Sequence, residues 1–388
     1  MTPALPFRQF VVKIHGWCDL ACEYCYVYEH VDQSWRDRPR AMAPAVVDAL
    51  AARLGAHLRR HEPPEARVIL HGGEPLLAGA RHLTRTLDTL RAAAPAATTL
   101  EFAVQTNGVR LDDGFLRLFR SRGVRVGVSL DGGLPGHNRR RRFPSGRESF
   151  DRVAQALSRL DSPAYRDIYG GILCTIDLDS DPVEVYRSLL AFGPPMIDFR
   201  LPHGNWAHPP PGRQPDDPAT PYGDWLIAVF QEWYDAPRRR VAIRLLDSII
   251  QLLLGGPSAS EDIGTTRTGA VIVDTDGSIQ GSDVLKTAHP GAPETGLNVL
   301  THSFDDALDA PAIRAEQRSP LTVPAACAGC DVVDVCGGGL YAHRYHPDAG
   351  FDHRSVYSPD LRRLIRHVRA RVTADLAARR RPPAPTVR

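Results

Sequence analysis

Cys18, Cys22 and Cys25 fall within the stretch CDLACEYCYVYEH (18–30), just after the apolar run RQFVVKIHG, and no other cysteine follows until Cys174. Three thiols are an odd number for disulfides and one short of a closed zinc site. Thiolates at this density hold zinc or iron–sulfur clusters. Zinc would need a fourth ligand, for which His15 or His30 stands nearby, whereas a four-iron cluster on three thiolates leaves one iron open to bind something else. A second group, Cys327, Cys330 and Cys336 in CAGCDVVDVCGGGLYAHRY, has the spacing C-x2-C-x5-C. By itself it reads as a zinc knuckle completed by His343 or His346, or as a further cluster. Cys174, inside GGILCTID, suits a small buried apolar position.

These thiols must be carried by elements, and the chain supplies an alternation. The β-rich runs RQFVVKIHG, ARVILHGGEP, TLEFAVQTNG, VRVGVSLDG, YGGILCTID and MIDFRLP are separated by helical patterns, such as Val47, Leu50, Leu54 and Leu58 between 44 and 60. LDDGFLRLFRSRG and GRESFDRVAQALSRL open on plausible caps. Six alternations predict an α/β fold with a parallel sheet and helices outside. Most runs end in a polar or glycine-rich patch (HGWCD, HGGEP, QTNG, SLDG), and in such folds sites collect at the carboxyl ends of strands. The first three thiols are therefore expected to face the other loops across one mouth.

Residues 202–221, PHGNWAHPPPGRQPDDPATP, read as a linker or surface loop, followed by two helical segments. Near 269 the texture changes to GAVIVDTDGSIQGSD, with a hairpin signal at Asp276 and Gly277. The expected organisation is a barrel over 1–235, a helical connection over 236–268, a second domain over 269–365 and a basic helix and tail over 366–388. The run HNRRRRF, with Arg139 to Arg142, reads first as a solvated face and alternatively as a steering patch for an acidic peptide.

Hydrophobic content of 43% and charged content of 24% are ordinary for a soluble globular chain, and a net charge of +2 is too small to argue for nucleic acid. No apolar run is long enough to span a membrane and MTPALPFRQF is unlike a secretion signal, so no membrane is expected and the location is read as cytoplasmic.

The spacing C-x3-C-x2-C, with Tyr24 before the last cysteine, resembles the radical S-adenosylmethionine (SAM) enzymes. The resemblance implies a partial (β/α)6 TIM-like barrel. It also implies a 4Fe-4S cluster on Cys18, Cys22 and Cys25 whose open iron is chelated by SAM, and an external one-electron reductant. GGEP (Gly72, Gly73, Glu74, Pro75) resembles the motif whose backbone meets the SAM amino group, and Asn107, Ser129 and Asp131 lie where the family contacts ribose and carboxylate. The second thiol group resembles the SPASM (twitch-like) iron–sulfur extension of peptide-modifying members. Relatives carry cysteines where Ser282 and Ser358 stand here, so the resemblance implies one auxiliary cluster, its fourth ligand open among Ser358, Asp331, Asp334, His343, His346 and substrate.

CDLACEYCYVYEHVDQSWRDRP and the tail CGGGLYAHRY…FDHRSVYSPDL are similar to the FxsB-type maturases. These form three-residue cyclophanes, joining an aromatic ring carbon to a β-carbon in a ribosomally made precursor peptide. Thioether formation, or oxidation of a serine or cysteine as in sulfatase maturation, is the neighbouring reading, and a non-enzymatic zinc scaffold the distant one. Asp283 aligns with the aspartate proposed as a base in related sulfatase-maturing enzymes, and reads equally as a turn residue after the hairpin.

Overall fold

The computed structural model describes residues 4–214 and 217–380. The six anticipated runs form strands β1 (Gln9–His15), β2 (Glu65–Gly72), β3 (Thr99–Thr106), β4 (Val124–Ser129), β5 (Tyr169–Thr175) and β6 (Met196–Arg200). Each pairs in parallel with the next. Parallel neighbours require crossovers, and α1 (Pro44–His61), α2 (Ala80–Ala93), α3 (Asp113–Ser121), α4 (Phe150–Leu160) and α5 (Pro182–Leu190) provide them. The physical reasons are local. Proline opens α1, and Val47, Leu50, Leu54 and Leu58 are fully buried on one face. Asp112 and Asp181 accept the N–H of Phe115 and Glu184 and so cap α3 and α5. Cys174 is buried in the core, as its setting suggested.

Three features differ from the expected organisation. First, residue 269 is not a break in the sheet. After the short edge strand β7 (Ala242–Ile243) beside β6, and a helix over Arg244–Leu253, the chain returns as β8 (Ala270–Val273), parallel to β1 with Gln9 opposite Ala270. Strands β9 (Ser278–Gln280) and β10 (Glu294–Asn298) continue antiparallel, giving one ten-stranded sheet in the order β10-β9-β8-β1-β2-β3-β4-β5-β6-β7. The turn at Asp276 and Gly277 is the hairpin read from the sequence, with Gly277 at φ +88° and its N–H 2.9 Å from the carbonyl of Asp274.

Second, the proline-rich segment after β6 is packed rather than draped over the surface. Asn205 is fully buried, donates to the carbonyl of Thr287 (2.8 Å) and accepts the N–H of Ala207 and His208. Trp206 Nε1 donates to the carbonyl of Arg354 (2.6 Å). Third, a single helix, Ser358–Arg380, crosses the division expected at 365/366 and packs on the helix Pro221–Tyr234. No helix among the described residues is long and apolar enough to cross a membrane.

Two buried charge clusters fasten the segment after β9 to the loops around β1. Lys13 sits 3.1 Å from Asp274 and 2.5 Å from Asp283. Lys286, with no exposed surface, lies 3.1 Å from Asp32, which also accepts the N–H of Ser34 and Gly291. Burial alone would raise the Asp32 carboxyl, but its hydrogen bonds and Lys286 hold it down at about 2. A depressed carboxylate stabilises the fold at pH values above its unfolded range and loses that contribution as pH falls through its folded value. Lys286→Met should therefore cost about 3–5 kcal/mol by stranding a buried charge. Urea unfolding should show the deficit near neutral pH, and the gap to wild type should shrink on acidification as Asp32 is neutralised.

Candidate functional site

The carboxyl ends of the six parallel strands, from His15 to Arg200, share one mouth, and the first cysteine loop is stitched across it. Ala21–Cys22 pairs antiparallel with Arg141–Arg142, and Glu23 N–H donates to the carbonyl of Arg140 (3.2 Å). On the other side the loop meets GGEP: Gly73 N–H donates to the carbonyl of His15 and Glu74 N–H to that of Trp17, both at 2.9 Å. A β-carbon on Gly73 would stand 1.9 Å from Tyr28 Oη and 2.4 Å from the carbonyl carbon of Trp17, so only glycine permits this approach.

Behind the loop lies a cavity of about 370 Å³, whose wall includes Cys18, Cys22 and Cys25. Of the residues singled out for SAM, Tyr24, Gly72, Gly73, Asn107 and Ser129 line it. Glu74, Pro75 and Asp131 are not on this wall; all three are buried. The Glu74 carboxylate accepts the N–H of Asn107 (2.7 Å) and Leu76 (3.0 Å) and the hydroxyl of Thr106 (2.7 Å), so it fixes Asn107 in place. Burial pushes its carboxyl up to about 7, against the pull of those hydrogen bonds. Asp131 accepts the hydroxyl of Tyr24 and the N–H of Thr175, and orients Tyr24 rather than facing the cavity.

The thiols fit a metal cluster. Burial pushes Cys18 up to about 12 and Cys25 up to about 11; for Cys22 burial again raises the value, opposed by the charge of Arg141. Left to themselves they stay protonated, and a metal replaces those protons. Donors suited to bound thiolates are in place: Leu20 N–H (3.4 Å) and Asn107 Nδ2 (3.5 Å) reach Cys18 Sγ. Sulfurs on a single zinc at 2.3 Å sit about 3.8 Å apart. Among the described residues the trio of metal-capable side chains within 4.8 Å is His57, His61 and Asp305, a hydrogen-bonded clamp between helices remote from this mouth, and neither thiol trio is so tight.

The cavity wall also carries carboxylates and arginines. Asp198 lies 3.5 Å from Arg244 and 3.8 Å from Arg200, and Glu261 3.2 Å from Arg200. Asp283 is on this wall, 4% exposed, with Lys13 as its partner. Glu316 is on the wall as well and accepts the N–H of Ser282.

Cys327, Cys330 and Cys336 border a second, larger cavity of about 930 Å³. Of the five side chains weighed as a fourth ligand, Ser358 borders it too. Asp331 is engaged by Arg362 (2.8 Å) and Arg366 (2.7 Å), Asp334 is exposed, His343 Nε2 lies 3.0 Å from His203 Nδ1, and His346 Nδ1 accepts the N–H of Asp348. The buried Arg344 guanidinium donates to the carbonyls of Gly337 and Gly339 and braces the CGGG turn. There Gly337 (φ +64°) passes so near Gly264 that a β-carbon would stand 1.9 Å from its carbonyl oxygen.

The sequence reading missed several residues. The arginine run is a solvated face only in part: Arg142 is exposed and the half-exposed Arg139 and Arg140 are tied to Asp177 and Asp179, but Arg141 is 5% exposed, donates to Tyr24 Oη (2.8 Å) and stands 3.9 Å from Asp131. The signal was present, since a strand through these arginines must turn alternate ones inward. Lys13, Glu316 and the Asp198–Arg200–Arg244 cluster carried no local motif.

Residues 12–187 match the radical SAM superfamily model. The chain is 26% identical over 349 residues to a serine-type anaerobic sulfatase-maturating enzyme of Klebsiella aerogenes, covering 87% of this chain and 80% of that one. It is 24% identical over 347 residues to a cysteine-type enzyme of Clostridium perfringens, covering 86% and 88%. In three dimensions it superimposes on native anSMEcpe with bound AdoMet and Kp18Cys peptide at a TM-score of 0.82 and 20% identity, over 95% of this chain and 99% of that one. For Streptococcus suis SuiB bound to S-adenosylmethionine the TM-score is 0.60 at 13% identity, over 92% and 78%. The thiol loop and most of the parallel strands that carry it fall within the segment that matches the radical SAM superfamily, whose members use a 4Fe-4S cluster with S-adenosylmethionine.

Proposed function

We propose that this protein is a radical SAM oxidoreductase that removes two hydrogens from a peptide. The observation that carries the reading is the one cavity whose wall includes both Cys18, Cys22 and Cys25 and a set of carboxylates. The thiols can hold a cluster with an open iron; the carboxylates can receive protons from a substrate in the same cavity.

In this reading Tyr24, Gly72, Gly73, Asn107 and Ser129 contact SAM. Glu74, Pro75 and Asp131 set their positions, and Arg141 places a cation beside Tyr24 for the SAM carboxylate. A cluster held by Cys18, Cys22 and Cys25 with SAM bound would supply, on receiving one electron from an external reductant, a 5'-deoxyadenosyl radical. The chain's part is to bind the peptide across the mouth, keep water from the radical and accept a proton, for which Asp283 is one candidate. The FxsB-like strings support a carbon–carbon crosslink, the three-residue cyclophane, in a ribosomal precursor. The sulfatase-maturating relatives favour a second product, an oxidised serine or cysteine. The C-terminal thiols would hold one auxiliary cluster, with Ser358 at its fourth side.

Anaerobically reconstituted protein given SAM and dithionite should release 5'-deoxyadenosine, and Cys18→Ala should abolish it; zinc without sulfide in the purified protein would overturn the reading. A co-expressed precursor should lose two hydrogens by mass spectrometry. Fragmentation should place the loss across an aromatic residue and a neighbour two positions on for a cyclophane, or on one serine or cysteine for the second product. Ser358→Cys should shift the electron paramagnetic resonance spectrum of the auxiliary cluster and leave the iron content unchanged, whereas an unaltered spectrum would remove Ser358 from the cluster.

A further inference from the structure

Four carboxylates line the central cavity: Asp198, Glu261, Asp283 and Glu316. Three stand against cations. Asp198 lies between Arg200 and Arg244, Glu261 is 3.2 Å from Arg200, and Asp283 is 2.5 Å from Lys13. Glu316 differs. It projects from the helix Pro311–Arg318 and is half-buried. Its Oε2 accepts the N–H of Ser282 (3.0 Å), and no lysine, arginine or histidine among the described residues lies within ion-pair distance of it.

The difference decides which group can take up a proton cheaply. Protonating Asp283 would strip Lys13, 3% exposed, of one of its two counter-charges and leave it with Asp274 alone. A buried ammonium that loses a partner is costly. Protonating Glu316 removes no partner from any cation and leaves the Ser282 N–H an oxygen to bond. The titratable groups that interact with Glu316 are Glu261 and Tyr341, and Asp283 follows Ser282, the hydrogen-bond partner of Glu316, in the chain. None is a cation.

Resting on the radical oxidation proposed above, we infer that Glu316 is the proton acceptor of the substrate reaction, while Asp283 serves with Lys13 to lock the segment after β9 onto β1. Two hydrogens leave the peptide. One departs as an atom to the 5'-deoxyadenosyl radical, giving 5'-deoxyadenosine; the other departs as a proton to a Glu316 carboxylate oxygen, its electron passing to an acceptor of the iron–sulfur class. Burial, reinforced by Glu261 and opposed by the Ser282 hydrogen bond, pushes the Glu316 carboxyl up to about 7, where a proton acceptor working near neutrality is best placed.

Infrared difference spectra of the reconstituted full-length enzyme, titrated between about pH 5 and about pH 9, should show a protonated-carboxyl band lost near neutrality in wild type and missing in Glu316→Gln. Glu74 titrates in the same range, so the assignment comes from the wild type minus Glu316→Gln difference. The same preparations are offered a library of short peptides, each with one Phe, Tyr, Trp, Ser or Cys. In Glu316→Gln the yield of two-hydrogen-oxidised peptide per 5'-deoxyadenosine should fall about a hundredfold, and Glu316→Asp should recover part of it with a displaced pH profile. An identical titrating band in wild type and Glu316→Gln, or an oxidation yield within about twofold of wild type, overturns the assignment. Failure of the parent reading is separate: wild type then forms no 5'-deoxyadenosine, whatever the infrared titration shows.

Discussion

Thiols half-buried in one loop, with a single arginine near one of them, do not hold negative charge unaided. Cys18, Cys22 and Cys25 are in that position, each pushed towards the protonated form by its surroundings. Much of the architecture around the mouth follows from this constraint. The loop that carries them is pinned on both flanks, by the ribbon to Arg141–Arg142 and by the hydrogen bonds to GGEP. Its hydrogen-bond donors point at sulfur. A site so arranged gains its charge balance from metal, and metal affinity then becomes part of the folding free energy.

The mouth also shows how roles divide within a motif. In GGEP the glycines allow the backbone to pass Tyr28 and Trp17, whereas Glu74 faces inward and holds the strand-end residues Thr106 and Asn107. Tyr24, Asp131 and Arg141 form a similar chain, in which the tyrosine reaches the cavity and the aspartate secures it from behind. Substitutions at the inward members would act through geometry, and those at the cavity members through contact.

Six strands, their order and the thiol loop were legible in the sequence because each is a local pattern: a β-rich run, a glycine-rich end, a cysteine spacing. Cys174 and the Asp276–Gly277 turn were legible for the same reason. What could not be read joins residues far apart. Lys13 meets Asp283 across 270 positions (283 − 13) and Asp32 meets Lys286 across 254, and neither partner announces the other. The arginine run misled because charge runs are commonly solvated, yet its place in a ribbon turned Arg141 inward. Residues 202–221 looked like a linker by composition, but proline content says nothing of the buried hydrogen bonds that Asn205 makes. The second half was divided at 269 by texture alone, and texture does not reveal that β8 would choose β1 as its neighbour.

That choice has a consequence for how the protein avoids self-association. Without β8 the sheet would end at β1, a seven-residue strand whose unpaired backbone groups would invite a second chain to dock. Strand addition from the C-terminal half covers this template, and the margins that remain are β10, five residues long, and β7, with two. The C-terminal half thus shields, along Gln9–Val12, an edge that the parallel strands would otherwise leave open.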